Sequence, residues 1–299
     1  MAIRSYDSLE AGIRTCFGED TKIVKRSYVG GGDINEACCL TLSNGERVFV
    51  KSNSVSNKGF FDAEEAGIEA IASTGTIKTP RLICKGTDRV DKISFLMMEM
   101  IEAGKKVKDF WEIFGRELAA MHLFDTEGYI LSGHFGFTGN NYIGASKQIN
   151  DGRESWIIFF RECRLEPQIR MAERYFDDSM KRSLLKLLDR LPDILVEPRK
   201  PSLLHGDLWS GNYITGNDGK AWLIDPAAYV GHAEADLAMT ELFGRFSGDF
   251  YRAYEEVNPL QPGYEDRRDL YNLYHMLNHL NLFGYSYYSA VAGIVKRYV

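Results

Sequence analysis

Leu203-Leu204-His205-Gly206-Asp207-Leu208-Trp209-Ser210-Gly211-Asn212 is the stretch that decides the fold, together with the Ile224-Asp225-Pro226 that closes the segment it opens. It reads as an apolar pair running into a polar loop. Then come a short strand (Tyr213 to Thr215), a Gly216-Asn217-Asp218-Gly219 turn, a return strand (Ala221 to Ile224) and a second loop at Asp225-Pro226. Asp207, Asn212 five residues on, and Asp225 thirteen further therefore fall on two loops joined by one hairpin. Phosphoryl transfer asks for this set. A carboxylate must orient or deprotonate the attacking hydroxyl, and oxygen ligands must hold Mg2+ on the nucleotide. The spacing predicts Asp207 as the base and Asn212 and Asp225 as the metal ligands. An isolated Asp-x4-Asn is more often two turn caps. The flanking strand, His-Gly, hairpin and Asp-Pro favour the catalytic reading.

On either side of this segment the chain reads as helices, predicted over 108–123, 154–164, 166–190, 234–256 and 265–284. The first hundred residues have a different texture, of strands plus one helix. Ile23 to Val29, Cys38 to Leu42, Arg47 to Lys51 and Ile93 to Ile101 are apolar or β-branched runs. Ser43-Asn44-Gly45-Glu46 supplies a hairpin turn. Phe61, Glu64, Glu65, Ile68 and Ala72 recur at helical steps within 58–73. The predicted boundary falls near residue 101, dividing 1–101 from 102–299.

Within the first part, Gly30-Gly31-Gly32 lies between two strands, where missing Cβ atoms let backbone N–H groups approach phosphate oxygens. A flexible hairpin tip has the same sequence. No Gly-Lys-Ser/Thr follows, so it is not a Walker loop. Lys51 ends Val48-Phe49-Val50-Lys51, a strand resembling those whose lysine grips the nucleotide phosphates. Glu64 on the next helix is the candidate to hold it, with Glu65 as the fallback. Met98, Glu99 and Met100 end the last strand and offer backbone groups and an apolar slot to an adenine. His205 is expected to brace the loop, His122 to sit on an apolar helix face, and Asp236 to fall near the start of a helix, where the dipole favours a carboxylate, with anchoring of the catalytic loop's backbone as a second role.

With 299 residues, 44% hydrophobic residues and a net charge of −6, the chain can bury a full core. It has no basic tract to suggest nucleic acid or an anionic membrane as partner. No apolar run approaches a membrane span, and the N-terminus becomes charged before an apolar stretch develops. Five cysteines without ligand spacing fit a reducing, cytoplasmic setting.

Leu204 to Asn212, Ile224-Asp225-Pro226 and Gly231-His232-Ala233-Glu234-Ala235-Asp236-Leu237-Ala238-Met239 together resemble the fructosamine (ketosamine) 3-kinases. The resemblance extends to Gly30 to Glu36 and to the run Leu273-Tyr274-His275 through Leu282-Phe283-Gly284. It also takes in Phe135-Gly136, Asn141 to Gly144, Gln148, Asn150, Trp156, Phe159 and Arg164. It thus covers essentially the whole chain. His-Gly-Asp-x4-Asn alone marks the wider aminoglycoside and choline phosphotransferases, whereas Trp209 and Asn278-His279-Leu280-Asn281 are more specific.

What the resemblance implies is an α+β, bilobal protein-kinase-like fold: an ATP-binding lobe of a five-stranded-type sheet with one helix, and a larger helical lobe. It implies ATP and Mg2+ as cofactors, and phosphorylation of the 3-hydroxyl of a free or protein-bound ketosamine. The unstable ester then releases the amine. By position, Asp207 becomes the proton acceptor, Lys51 with Glu64 the phosphate clamp, and Met98 to Met100 the hinge. Asp33 stands where many relatives carry cysteine, and Ala233 where arginine is frequent. The competing readings are an aminoglycoside or choline kinase and a nucleotide-binding module without catalysis.

Overall fold

The computed structural model describes residues 3–30, 35–57 and 59–299. The N-terminal part is built on one sheet. Its strands are β1 (Ser5–Tyr6), β2 (Ile23–Tyr28), β3 (Glu36–Leu42), β4 (Arg47–Ser54), β5 (Leu82–Asp88) and β6 (Ile93–Glu99), ordered β1-β5-β6-β4-β3-β2. Only β1 with β5 is a parallel pair. Two helices cover it, α1 (Leu9–Phe17) and α2 (Gly59–Ser73).

β6 shows why both helices are needed. Phe95 and Met97 point into a cluster with Leu9 and Ile13 of α1. Leu96 and Met98 point the other way, against Phe61 and Ile68 of α2. A strand buried on both faces reads as a continuous apolar run, as this one does.

The expectation of five strands and one helix is therefore corrected to six and two among the described residues. The signals for α1 were local and short. Ser8 caps it by accepting from Ala11 N (3.1 Å), and Leu9, Gly12 and Ile13 are its buried face. β1 is only two residues long, and Gly86 admits it: a Cβ there would lie 2.2 Å from Tyr6 O.

The rest of the chain is mostly helical. α3 (Phe110–His122) is followed by a small hairpin, β7 (Asn141–Ile143) and β8 (Ser146–Gln148), then α4 (Trp156–Phe159), α5 (Glu166–Met171) and α6 (Asp178–Ile194). Next come β9 (Ser202–Leu204), β10 (Tyr213–Thr215), β11 (Ala221–Leu223) and β12 (Tyr229–Gly231). α7 (Glu234–Leu242), α8 (Gly248–Val257), α9 (Tyr264–Phe283) and α10 (Tyr288–Tyr298) complete the chain. One large core joins these helices, with Trp156, Phe159, Leu203, Phe250 and Leu277 among its buried residues.

The result is an α+β, two-lobed, protein-kinase-like architecture, the class the sequence predicts. No helix among the described residues is long and apolar enough to cross a membrane.

Two long helices predicted from periodicity are broken. The one over 166–190 stops at Met171 and restarts where Asp177 accepts from Met180 N (2.8 Å). The one over 234–256 is interrupted between Leu242 and Gly248, where Gly244 has φ +87° and Ser247 caps α8. Apolar periodicity continues across such breaks because both pieces pack on the same core, so only the caps reveal them. Between α4 and α5, residues Phe160–Leu165 form a π-helix, a local widening frequent near functional sites.

Candidate active site

β9 ends at Leu204, and the chain then turns into the polar loop. Gly206 makes that turn with φ +81°, and a Cβ on it would lie 2.1 Å from Ala227 O. The turn is held from below by Asp236, near the start of α7. Its carboxylate accepts from His205 N (2.7 Å) and Gly206 N (2.8 Å), and His122 Nε2 reaches the same oxygen as His205 N (3.2 Å). Burial alone would raise the Asp236 pKa. His122, His205 and the Gly206 N–H outweigh it and bring the pKa below the ordinary value. His205 braces the loop as expected. Its Nε2 donates to Ile224 O (2.8 Å), and its Nδ1 accepts from Asp207 N (3.3 Å). Burial holds it below its usual pKa.

This scaffold presents Asp207, which leaves 23% of its side chain exposed. Asn212 donates through Nδ2 to Asp207 O (2.7 Å) and Asp207 Oδ2 (3.0 Å). Its amide is thereby oriented, and its Oδ1 is left without a donor among the described residues. Burial pushes the Asp207 carboxyl up to about 7. Asn212 opposes that shift, while the charges of Asp225 and Asp236 add to it. Ile224 N donates to Asn212 O (3.1 Å), so the two loops are tied together just before Asp225. Asp225 has φ +55°, a left-handed conformation that an aspartate adopts at a cost and that turns its carboxylate toward the N-terminal lobe.

There it meets Lys51. Lys51 Nζ lies 2.5 Å from Glu64 Oε1 and also contacts Asp225 Oδ1. Burial would lower the lysine's pKa, but the two carboxylates reverse that and raise it. Glu65, the fallback partner, is engaged elsewhere: it pairs with Lys85 (2.5 Å) and accepts from Ile3 N (2.9 Å).

α2, which carries Glu64, is fixed against the C-terminal lobe at both ends. Phe60 stacks on Tyr142 at 3.9 Å between ring centroids, and Tyr129 Oη donates to Ala70 O (3.3 Å).

The other predicted positions are less fully placed. Gly30 is exposed just past β2, while Gly31, Gly32, Asp33 and Ile34 lie outside the described residues. Met98 is buried within the sheet, paired with Phe49 and Leu82. Glu99 N donates to Arg81 O (2.9 Å), and Glu99 Oε1 accepts from Arg81 N (2.5 Å). Glu99's N–H is therefore already used within the lobe. Met100 follows immediately after the strand end.

Two features carried no individual role in the sequence reading. His275 of α9 brings Nδ1 to 3.9 Å from Asp207 Oδ1, and burial lowers its pKa to about 3. A buried amide network holds the backbone after Asp225. Asn141 Nδ2 donates to Ala228 O (2.7 Å), Gln148 Nε2 to Ala227 O (2.9 Å), and Arg164 Nη2 to Asn150 Oδ1 (2.9 Å). Runs of polar residues such as Asn141, Gln148 and Asn150 look like loop composition until the fold buries them.

The sequence model of the family described as fructosamine kinase matches residues 6–299. The chain belongs to the fructosamine kinase family. It is 41% identical to a probable ketoamine kinase of Synechocystis sp. over 98% of this chain and 96% of that one. With a chloroplastic protein-ribulosamine 3-kinase of Oryza sativa subsp. indica it shares 40% identity, over 100% of this chain and 85% of the other. Among solved structures, a candidate fructosamine-3-kinase from Haemophilus somnus superposes with a TM-score of 0.86 at 28% identity. That match covers 98% of this chain and 97% of the other. As a member of this family the chain is a kinase, and both of its lobes contribute to the family match.

Proposed function

We propose that this chain is an ATP-dependent ketosamine 3-kinase, which moves the γ-phosphoryl group of ATP to the 3-hydroxyl of a sugar joined to an amine. The observation that carries the reading is the meeting of Lys51 and Glu64 with Asp225, on the loop tied to the one bearing Asp207. Kinases need a phosphate-gripping cation, a metal carboxylate and a base within one cleft, and they supply rate by positioning and electrostatics.

Asp207 accepts the proton of the sugar hydroxyl, and Asn212 fixes the carboxylate that receives it. Lys51, kept charged by two carboxylates, grips the nucleotide phosphates, with Gly30 to Gly32 above them and Met98 to Met100 along the adenine. The donor set fits Mg2+, since Asn212 Oδ1 and the half-exposed Asp225 carboxylate are hard oxygens. When bound, the ion would neutralise charge on the phosphates.

The substrate class follows from the names carried by the relatives, and release of the amine would make the reaction a repair of glycated amines. All five cysteines are unpaired and four of them are buried, which suits the cytoplasm as the working compartment.

The reading is tested by measuring Mg-ATP turnover on fructose-, ribulose- and erythrulose-derived amines, beside kanamycin and choline, and locating the phosphate by NMR. Phosphate on the 3-oxygen of a ketosamine is expected. Turnover of kanamycin or choline alone would refute the assignment.

The carboxyl at about 7 gives a second expectation. The base works only when ionised, so kcat/KM should fall about tenfold per pH unit below neutrality. A flat profile from pH 8 to pH 5.5 would remove Asp207 from that role.

A further inference from the structure

Phe60, Glu64 and Gly67 follow one another at helical steps, so they share one face of α2 with Glu64 between the other two. On either side of Glu64 that face meets the C-terminal lobe. Phe60 stacks on Tyr142 with 14° between the ring planes. Gly67 lies against the residues that follow Asp225: a Cβ on it would come 3.1 Å from Pro226 Cγ and 3.4 Å from Ala228 Cβ.

Tyr142 belongs to β7, and successive residues of a strand point to opposite faces. Its neighbour Asn141 is buried and donates to Ala228 O, while Gln148, opposite Asn141 across the hairpin, donates to Ala227 O. Tyr142, half-buried, turns the other way, to α2. One two-stranded hairpin therefore grips the backbone after Asp225 on one face and the start of α2 on the other.

The hairpin is itself pinned. Tyr274 Oη of α9 donates to Gln148 Oε1 (2.7 Å), and Asn150, just past β8, donates to Asn141 Oδ1 (2.9 Å). Asn150 Oδ1 accepts in turn from Arg164, which is fully buried, lies 3.8 Å over the Tyr229 ring and pairs with no carboxylate among the described residues. A buried cation without a counter-charge is costly. Its hydrogen bonds go to Asn150 Oδ1 and to the carbonyls of Ile149 and Cys163, so this one holds the chain leaving the hairpin.

Resting on the reading of Lys51 as the cation that grips the nucleotide phosphates, we infer that the β7–β8 hairpin is the bracket that sets Glu64 relative to Asp225, and that Tyr142 is a positioning residue acting through Glu64. Lys51 meets two carboxylates that belong to different lobes. On its sheet side α2 is held by apolar contacts, Phe61 and Ile68 against Leu96 and Met98. Those fix its distance from the sheet, but a rotation about them carries Glu64 away from Lys51. The flat stack of Phe60 on Tyr142, about 6 Å along the helix from Glu64, opposes that rotation.

The test reads nucleotide binding as well as turnover. Tyr142→Ala should raise the Kd for Mg-ATP and lower kcat/KM for ATP, each about tenfold, with KM for the ketosamine unchanged. Tyr142→Phe keeps the ring and should restore both values. Tyr142 is half-buried, so the alanine variant leaves the core closed and its melting temperature should fall by about 2 °C at most. In a Glu64→Gln background Tyr142→Ala should add less than about a twofold loss, because the residue acts through that carboxylate. In the nucleotide-free protein, amide exchange should quicken across 59–67 and keep its wild-type rate across β2 and β3. Unaltered Mg-ATP binding in Tyr142→Ala, a full further loss in the Glu64→Gln background, or a phenylalanine variant as poor as the alanine one would overturn the inference. A wild-type chain that binds Mg-ATP yet phosphorylates no ketosamine would refute the ketosamine reading alone, and the binding and exchange measurements would still decide this one.

Discussion

Asp207→Asn is expected to lower kcat by about 10³-fold or more while leaving the affinity for ATP close to that of the wild type. The amide keeps the shape of the carboxylate and can still accept from Asn212 Nδ2, so the loop should stay in place. What is lost is the ability to take a proton. The same substitution should stabilise the protein at high pH. In the folded chain the carboxyl titrates at about 7, against about 3.9 for an unfolded aspartate. Between those values the folded state binds more protons than the unfolded state. The stability this contributes is therefore complete below about pH 4 and is lost as pH rises through 7.

The asparagine variant has no such loss. Its melting temperature should exceed the wild type's at pH 8, by an amount reflecting a few kcal/mol at most, and the gap should close toward pH 4. Calorimetry at the two pH values, with ATP titrations alongside, checks both halves. An active Asp207→Asn, or a stability gap that widens on acidification, would show that the carboxyl is not the buried base described.

The same residue shows what was legible in the sequence. The gathering of Asp207, Asn212 and Asp225 could be read because it depends on local spacing along two loops and one hairpin. Lys51 and Glu64 could be read because strand order and helical period placed them on facing elements, and the choice of Glu64 over Glu65 is settled by which side of α2 faces the sheet's end. α1 and β1 escaped because each is short and derives its stability from packing on β5 and β6, contacts distant in sequence. The helix breaks at 172–177 and 243–247 escaped for a different reason: packing continues through them. His275 could not be assigned to the site from sequence, since its approach to Asp207 joins α9 to a loop 68 residues earlier. The hinge and the glycine loop remain readings of pattern. Their chemistry lies in backbone groups, which side-chain identity specifies only weakly.

Asp236 makes the strongest case that the loop's geometry, as distinct from the side chains it presents, sets the rate. Both carboxylate oxygens face N–H donors: Oδ2 receives His205 N and His122 Nε2, and Oδ1 receives Gly206 N. An asparagine at this position has only one acceptor oxygen. Whichever way the amide is turned, its NH2 must point at a backbone N–H that is buried and has no other partner among the described residues. Asp236→Asn should thus be nearly as damaging as Asp236→Ala, whereas an isosteric change is usually much the milder of the two. Leaving a buried donor unpaired and removing a buried charge from its histidine partner together cost about 3–5 kcal/mol. For a chain of this size that corresponds to a fall in melting temperature on the order of 10 °C.

The catalytic consequence should be as large. The two N–H groups that Asp236 holds belong to the residues immediately before Asp207, and a displacement of about 1 Å in a reacting group can cost about 10²-fold in rate. The pattern that distinguishes this positioning role from a general loss of fold is a fall in kcat measured well below the variant's melting temperature, with KM for ATP little changed, because Lys51 and Glu64 do not depend on Asp236. If Asp236→Asn retains kcat within twofold at 15 °C, the loop is held by something other than this carboxylate.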